Sequence, residues 1–338
     1  MLTKRLGRQT VALAKPPSVL SFASIGGKFE KKGPLAEYFD ELDEDSFFGE
    51  KTWEKGESIM QKRVLHEALR KGKLKAAQLD YILAGDLLNQ CIGTSFALRD
   101  FRIPLYGLYG ACSTMGESLS LAALLIDGGF AQRAAAMTSS HFCTAERQYR
   151  MPVPYGNQRT PTAQWTATAA GCTILADDGP GPYITHLTCG KITDLGISDV
   201  NNMGAAMAPA AYDTLSAFFR ETGTAPRDYD LILTGDLGEL GHRIVLDLFR
   251  QDGIDLSVNY QDCGMLLYDR KQQDMHAGAS GCGCSASVLN GYLLSEMRKG
   301  KWKKLLLAPT GALLSPTSSF QGESIPSICH AVCFSAEK

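Results

Sequence analysis

A chain of 338 residues exceeds what one hydrophobic core usually holds, which predicts two fused units of about 150 residues each. Its 44% hydrophobic and 21% charged content is that of a soluble globular protein, and a net charge of −2 without a basic stripe excludes nucleic acid as an expected partner. No window approaches the roughly 18–20 apolar residues that cross a bilayer, and the N-terminal M-L-T-K-R-L-G-R-Q-T-V-A-L-A lacks the continuous apolar core of a signal peptide.

Residues 1–57 read as an irregular lead-in, with Gly33-Pro34 and an acidic run over 40–45. The spacing then predicts a helix over 58–71, with Met60, Val64, Leu65, Ala68 and Leu69 on one face and Gly72 as its cap. His66 falls on the opposite, solvated face. A strand over 79–84 ends in Gly85-Asp86. After Gly107 and Gly110 comes Cys112, then a helix with Met115, Leu119, Ala122 and Ile126 at core spacing, closed by Gly128-Gly129. The next strand, 133–138, runs into Ser139-Ser140-His141. Further on, Pro209 is read as opening a helix that Gly223 stops, followed by a strand over 230–234. Gly281 to Gly283 precede a helix with Val288, Leu289, Tyr292, Leu293 and Met297 inward, and 304–308 form the last expected strand.

Two of these stretches are nearly the same text. Residues 79–87 read L-D-Y-I-L-A-G-D-L and residues 229–237 read Y-D-L-I-L-T-G-D-L, identical at six of nine positions. Unrelated buried strands share apolar character, not this order. The chain is therefore read as two copies of one α/β half, spanning 58–180 and 181–338. Strands alternating with helices imply mainly parallel sheets, and two stacked halves give a layered α/β/α/β/α sandwich.

Cys112 is the sharpest chemical feature, present in only one copy. At a glycine-rich turn before a helix, backbone N–H groups and the helix dipole favour negative charge, which would lower the thiol pKa. Ten cysteines are otherwise scattered through apolar runs and read as reduced thiols. Cys282-Gly283-Cys284 and Cys329-x3-Cys333 lack the spacing of a complete zinc site, so no metal site is expected.

A duplicated α/β half with a cysteine at this turn resembles the thiolase and ketoacyl synthase superfamily. The loop His276-Ala277-Gly278-Ala279-Ser280-Gly281 resembles the thiolase G-H-P-x-G-x-S-G segment, and N-N-M-G-A-A-M-A-P-A-A, residues 201–211, resembles the segment lining its substrate pocket. The departures are equally plain. The turn P-T-G-A-L-L, residues 309–314, lacks the second thiolase cysteine, and the ketoacyl synthase histidine aligns with Gly238. Without that acid–base set, acyl transfer is not expected. An active acyltransferase using Cys112 is the alternative reading.

In order, G-P-L-A-E-Y-F-D, A-G-D-L-L-N-Q, G-A-C-S-T-M-G-E-S-L, T-S-S-H, P-T-A-Q-W-T and S-G-C-G-C-S-A resemble the stage V sporulation protein AD family of endospore-forming bacteria. That resemblance implies a non-catalytic thiolase fold binding dipicolinic acid, with calcium brought by the ligand and no other cofactor. It further implies integral membrane subunits of the spore dipicolinate channel as partners, a peripheral place at the forespore or spore inner membrane, and room for a homodimer. A flat aromatic dicarboxylate needs anion donors and an apolar slot. Cys112 and Ser113 at the helix start, His141 and His276 from opposing loops, and Met203 as a wall are the expected ligand residues, with Asp194 for a cation or protonated ligand group. Gln164, Trp165 and Thr166 are read as core packing.

Overall fold

The computed structural model describes residues 4–150 and 159–338. Its backbone contains the same five-stranded array twice. The first comprises β1 (Ser18–Gly26), β2 (Tyr81–Gly85), β3 (Leu105–Gly107), β4 (Arg133–Ser140) and β5 (Ala169–Ala176), in the spatial order 3-2-4-5-1. The second comprises β6 (Tyr183–Thr188), β7 (Leu231–Thr234), β8 (Tyr260–Asp262), β9 (Lys304–Ala308) and β10 (Ala331–Ser335), in the order 8-7-9-10-6. Chain order maps one array onto the other. The two touch as strands only at Ser18 and Tyr183.

The repeated nonapeptide does the same work in both. Asp80 donates its N–H to the Arg133 carbonyl, and its Oδ2 accepts from Gln132 N at 2.7 Å and Arg133 N at 3.0 Å. Asp230 donates to the Lys304 carbonyl and accepts from Lys303 N at 2.7 Å and Lys304 N at 2.9 Å. Each aspartate clips the start of its strand to the start of the next parallel one.

Side chains alternate across each sheet, and this alternation builds the layers. Ile82 and Ala84 point outward to α1 (Trp53–Gly72) and α2 (Ile92–Leu98), while Leu83 points inward. The inner layer holds α3 (Thr114–Asp127). A short α4 (Phe142–Arg150) follows β4. In the second half Leu306 and Ala308 pack outward against α5 (Met203–Thr222) and α6 (Gly238–Gln251), and Leu305 and Leu307 point inward. After α7 (Cys263–Leu267), α8 (Cys282–Val288) continues through a π turn into α9 (Leu294–Arg298) and shares the central layer with α3. The result is the expected five-layered sandwich.

Four sequence expectations need correction. Residues 1–57 are not an irregular lead-in: β1 is a nine-residue strand that completes the first array, so that array begins before residue 58. Both sheets are mixed, since β5 and β10 run antiparallel to their neighbours. Helix α1 starts at Trp53 under the Thr52 side chain, and Lys73, at φ 54°, takes the left-handed position assigned to Gly72. Helix α5 begins at Met203, because the Asn202 side chain accepts from Ala205 N, which leaves Pro209 inside the helix.

Candidate functional site

Cys112 lies in the tight turn Ala111–Ser113 that leads into α3. Ser113 is committed to that turn: its N–H and its Oγ both donate to the Gly110 carbonyl, at 3.0 and 2.7 Å. A short strand, Thr310–Ala312, closes over it. A Cβ on Gly311 would fall 2.0 Å from the Gly110 oxygen, 3.0 Å from Ser113 N and 3.1 Å from Cys112 N. Only glycine fits there. The helix-start amides expected to greet a carboxylate are therefore covered by backbone.

The thiol also differs from the expectation. Its Sγ is buried, 3.9 Å from Ser280 Oγ, whose hydroxyl in turn bonds the Asp236 carboxylate. Burial, then the Asp236 charge, hold the Cys112 thiol well above its ordinary range. Desolvation and a neighbouring anion outweigh the helix dipole.

Asp236 is the residue that the sequence reading missed. Its Oδ2 accepts from Gly281 N at 2.9 Å and Ser280 Oγ at 3.1 Å, while its buried Oδ1 has no hydrogen-bond partner. Burial pushes its carboxyl up to about 7. The available signal was the second aspartate of the repeated nonapeptide, which follows the strand in each half.

Beside Cys112 lies a narrow pocket with about 50 Å³ of open space, lined by Leu87, Ala111, Ala145, Glu146, Tyr149, Thr166, Met203, Ser280, Ala312 and Leu314. That volume admits water and is too small for a substituted ring. Met203, expected as an apolar wall, is among its lining residues, and Thr166 lines it as well. The loop after β2, α4 and the segment after Ala312 also line a wider cavity of about 620 Å³, with Asn89, Gln90, Arg147, Gln148 and Thr317.

The other expected ligand residues lie outside this pocket. His141 is buried, with Nδ1 accepting from Cys143 N at 3.1 Å and Nε2 donating to the Ser46 carbonyl at 2.7 Å. Both nitrogens are used, and burial lowers its pKa. His276 is held by the Thr160 carbonyl at 2.6 Å and by Asp274 at 3.1 Å. Asp194 is exposed, accepting from Gly196 N and Ser324 Oγ, so it caps a loop. Trp165 stacks on Phe142 at 3.7 Å, as packing predicts. Among the described residues, no three His, Cys, Asp or Glu side chains are grouped to hold a metal ion. Cys282 and Cys284 donate to separate carbonyls, of Ser139 and Gly235.

Solved structures share this architecture. The human mitochondrial 3-ketoacyl-CoA thiolase superposes with a TM-score of 0.62 at 13% identity, covering 97% of this chain and 100% of that one. The 3-oxoacyl-[acyl-carrier-protein] synthase III of Aquifex aeolicus gives 0.59 at 12% identity, covering 94% and 99%. Two five-stranded halves around a buried pair of helices thus define a thiolase-like fold. Sequence goes further. The profile described as stage V sporulation protein AD matches residues 7–335, and the stage V sporulation protein AD of Bacillus subtilis (strain 168) is 43% identical over 331 residues, 98% of each chain. The chain belongs to the stage V sporulation protein AD family.

Proposed function

We propose that this sporulation protein binds dipicolinate and carries out no acyl transfer. The observation that carries the reading is Asp236 beside Cys112: a thiol kept protonated is a poor nucleophile, yet the pocket around it persists. The ligand is the one that the resemblance to this family implies. The cavity flanking the Cys112 pocket is wide enough for the pyridine ring, and its Arg147, ion-paired with Glu54 in the same lining, is a cation that a ligand carboxylate can take over. A ligand carboxylate can reach toward Cys112 and Met203, with calcium arriving as the ligand's own counter-ion.

No helix among the described residues is long and apolar enough to cross a membrane. We take the protein to be peripheral at the spore inner membrane, beside integral subunits of the dipicolinate channel. A second copy is a further partner. The edge strand β3 is exposed along its length, and Leu105, Tyr106 and Tyr109 face outward there. Calorimetric titration with dipicolinate, with and without calcium, tests the central claim. A saturable heat is expected. Absence of heat, together with stable acylation of Cys112 by acetyl-CoA, would overturn it in favour of an acyltransferase.

A further inference from the structure

Two lysine-rich runs far apart in sequence meet on one surface. Residues 70–75 read R-K-G-K-L-K and residues 298–304 read R-K-G-K-W-K-K. The first leaves the end of α1 and the second the end of α9. They converge on Phe22 of β1: the Lys71 ammonium lies 5.0 Å and the Arg298 guanidinium 4.6 Å from its ring centre. Arg298 also donates to the Val19 and Leu20 carbonyls. The sequence reading found no basic stripe because the two halves of this one are separated by most of the chain.

The two runs carry nine basic side chains, of which Lys304 lies over Tyr229 and not at Phe22; the acids paired with the others are Asp40, Glu67 and Glu296, and Asp230 accepts from the backbone of Lys303 and Lys304. Basic residues in a last helical turn are ordinary companions of its dipole, and Arg70, Lys71 and Arg298 fill that role. Lys73, Lys75, Lys301, Lys303 and Lys304 lie beyond the helix ends and owe nothing to it. Lys73, Lys75 and Lys303 are exposed, with no acid within ion-pair distance among the described residues. Such an excess, on a chain of net charge −2, is local and one-sided.

We infer that this face docks on an anionic lipid surface. Lysines predominate, and point charges on flexible stems match smeared surface charge, whereas paired phosphates or carboxylates in a protein partner favour the arginine fork. The cavities beside Cys112 and along α1 and α2 are lined by other residues, so the patch is no cleft for a small anion. Trp302, half-buried against Tyr292 with Lys301 over its ring, adds an aromatic suited to a headgroup layer. This deepens the peripheral-membrane reading above and rests on it.

The test is co-sedimentation of the full chain with phosphatidylcholine vesicles, with and without phosphatidylglycerol, at low and high salt. Binding is expected only with phosphatidylglycerol and is expected to fall with salt. The variant Lys73→Glu/Lys75→Glu/Lys303→Glu should lose at least about tenfold in partitioning. A control of equal charge change, Lys28→Glu/Lys51→Glu/Lys271→Glu, should bind like the parent. Circular dichroism and the heat of dipicolinate binding should be the same for all three proteins. The inference is overturned if the parent ignores anionic vesicles, if both variants lose binding equally, or if only native spore membranes, with their proteins, retain the chain. It is equally overturned if duplex DNA binds the patch more tightly than the vesicles. Dipicolinate heat without vesicle binding sinks this inference alone, and vesicle binding without dipicolinate heat sinks the ligand reading alone.

Discussion

Asp86 and Asp236 occupy the same place in the two halves, and their carboxylates are used differently. Asp86 fills both oxygens locally, Oδ1 from Leu88 N at 2.8 Å and Oδ2 from Thr94 N and Oγ1 at 2.7 and 2.6 Å. Asp236 fills only Oδ2, with Ser280 and Gly281, and leaves Oδ1 unpartnered beside the Cys112 site. Duplication produced two acids; divergence of their surroundings made one a loop brace and the other a neighbour of the thiol.

Because burial is the larger cause of the raised Cys112 pKa and Asp236 the next, removing the charge should help reactivity without fully restoring it. Native protein near neutral pH should react with iodoacetamide at Cys112 far more slowly than free cysteine. Asp236→Asn should speed that reaction several-fold and still leave it slower than free cysteine. Peptide mass spectrometry gives both rates; an unchanged rate in Asp236→Asn would remove Asp236 from the account.

Asp236 should make stability fall as pH rises. The Asp236 carboxyl sits at about 7 when folded and near 4 when unfolded, so the folded state binds the extra proton between those values. The protection is complete below the unfolded value and lost as pH passes about 7, a change on the order of a few kcal/mol. Buried Glu57, raised by desolvation and by Asp86, acts in the same direction. His141, His186, His242 and His330, whose pKa values desolvation lowers, act in the opposite direction below about pH 6.5. Melting temperatures should therefore decline above that value towards about pH 8, and Asp236→Asn should flatten the decline. A melting temperature that climbs over that range contradicts this.

The two histidines should separate structure from binding. His141→Ala removes two buried hydrogen bonds and should cost about 1–3 kcal/mol in denaturant unfolding. His276→Ala, whose ring is tied to Thr160 and Asp274, should leave dipicolinate affinity within about twofold, less than the loss of a charge-assisted hydrogen bond to the ligand. A tenfold loss of affinity would return His276 to the ligand site.

Asp80→Ala and Asp230→Ala each remove one acceptor of two backbone N–H groups. Each should cost about 0.5–1.5 kcal/mol, and the double variant should show the sum, because the clips belong to different five-stranded arrays and share no partner. Urea midpoints measure this. Strong non-additivity would mean that the two halves are coupled through these turns.

The duplication was legible because strand text survives where both faces are buried and where a side chain clips the backbone: Leu79 to Leu87 and Tyr229 to Leu237 each feed two packed layers, and exposed Asp80 and Asp230 hold the strand starts. The inward faces of α1, α3 and α8 were legible through helical spacing, and Cys112 through its glycine-flanked turn. Strand β1 was missed because S-V-L-S-F-A-S-I-G mixes serine into a buried run, and those serines are satisfied only by distant partners, such as Ser21 Oγ donating to the Ala68 carbonyl. The same limit applies at the site. Residue type alone suggested that His141 and His276 were free to bind, whereas Ser46 and Thr160, 95 and 116 positions away, occupy their nitrogens. The sequence by itself determined the two α/β halves, the layer each apolar face would enter and the turn that carries the cysteine. Only the tertiary structure decided which groups surround that thiol, because Asp236 and Ser280 reach it across the central helix layer, and contacts between halves leave no periodicity along the chain.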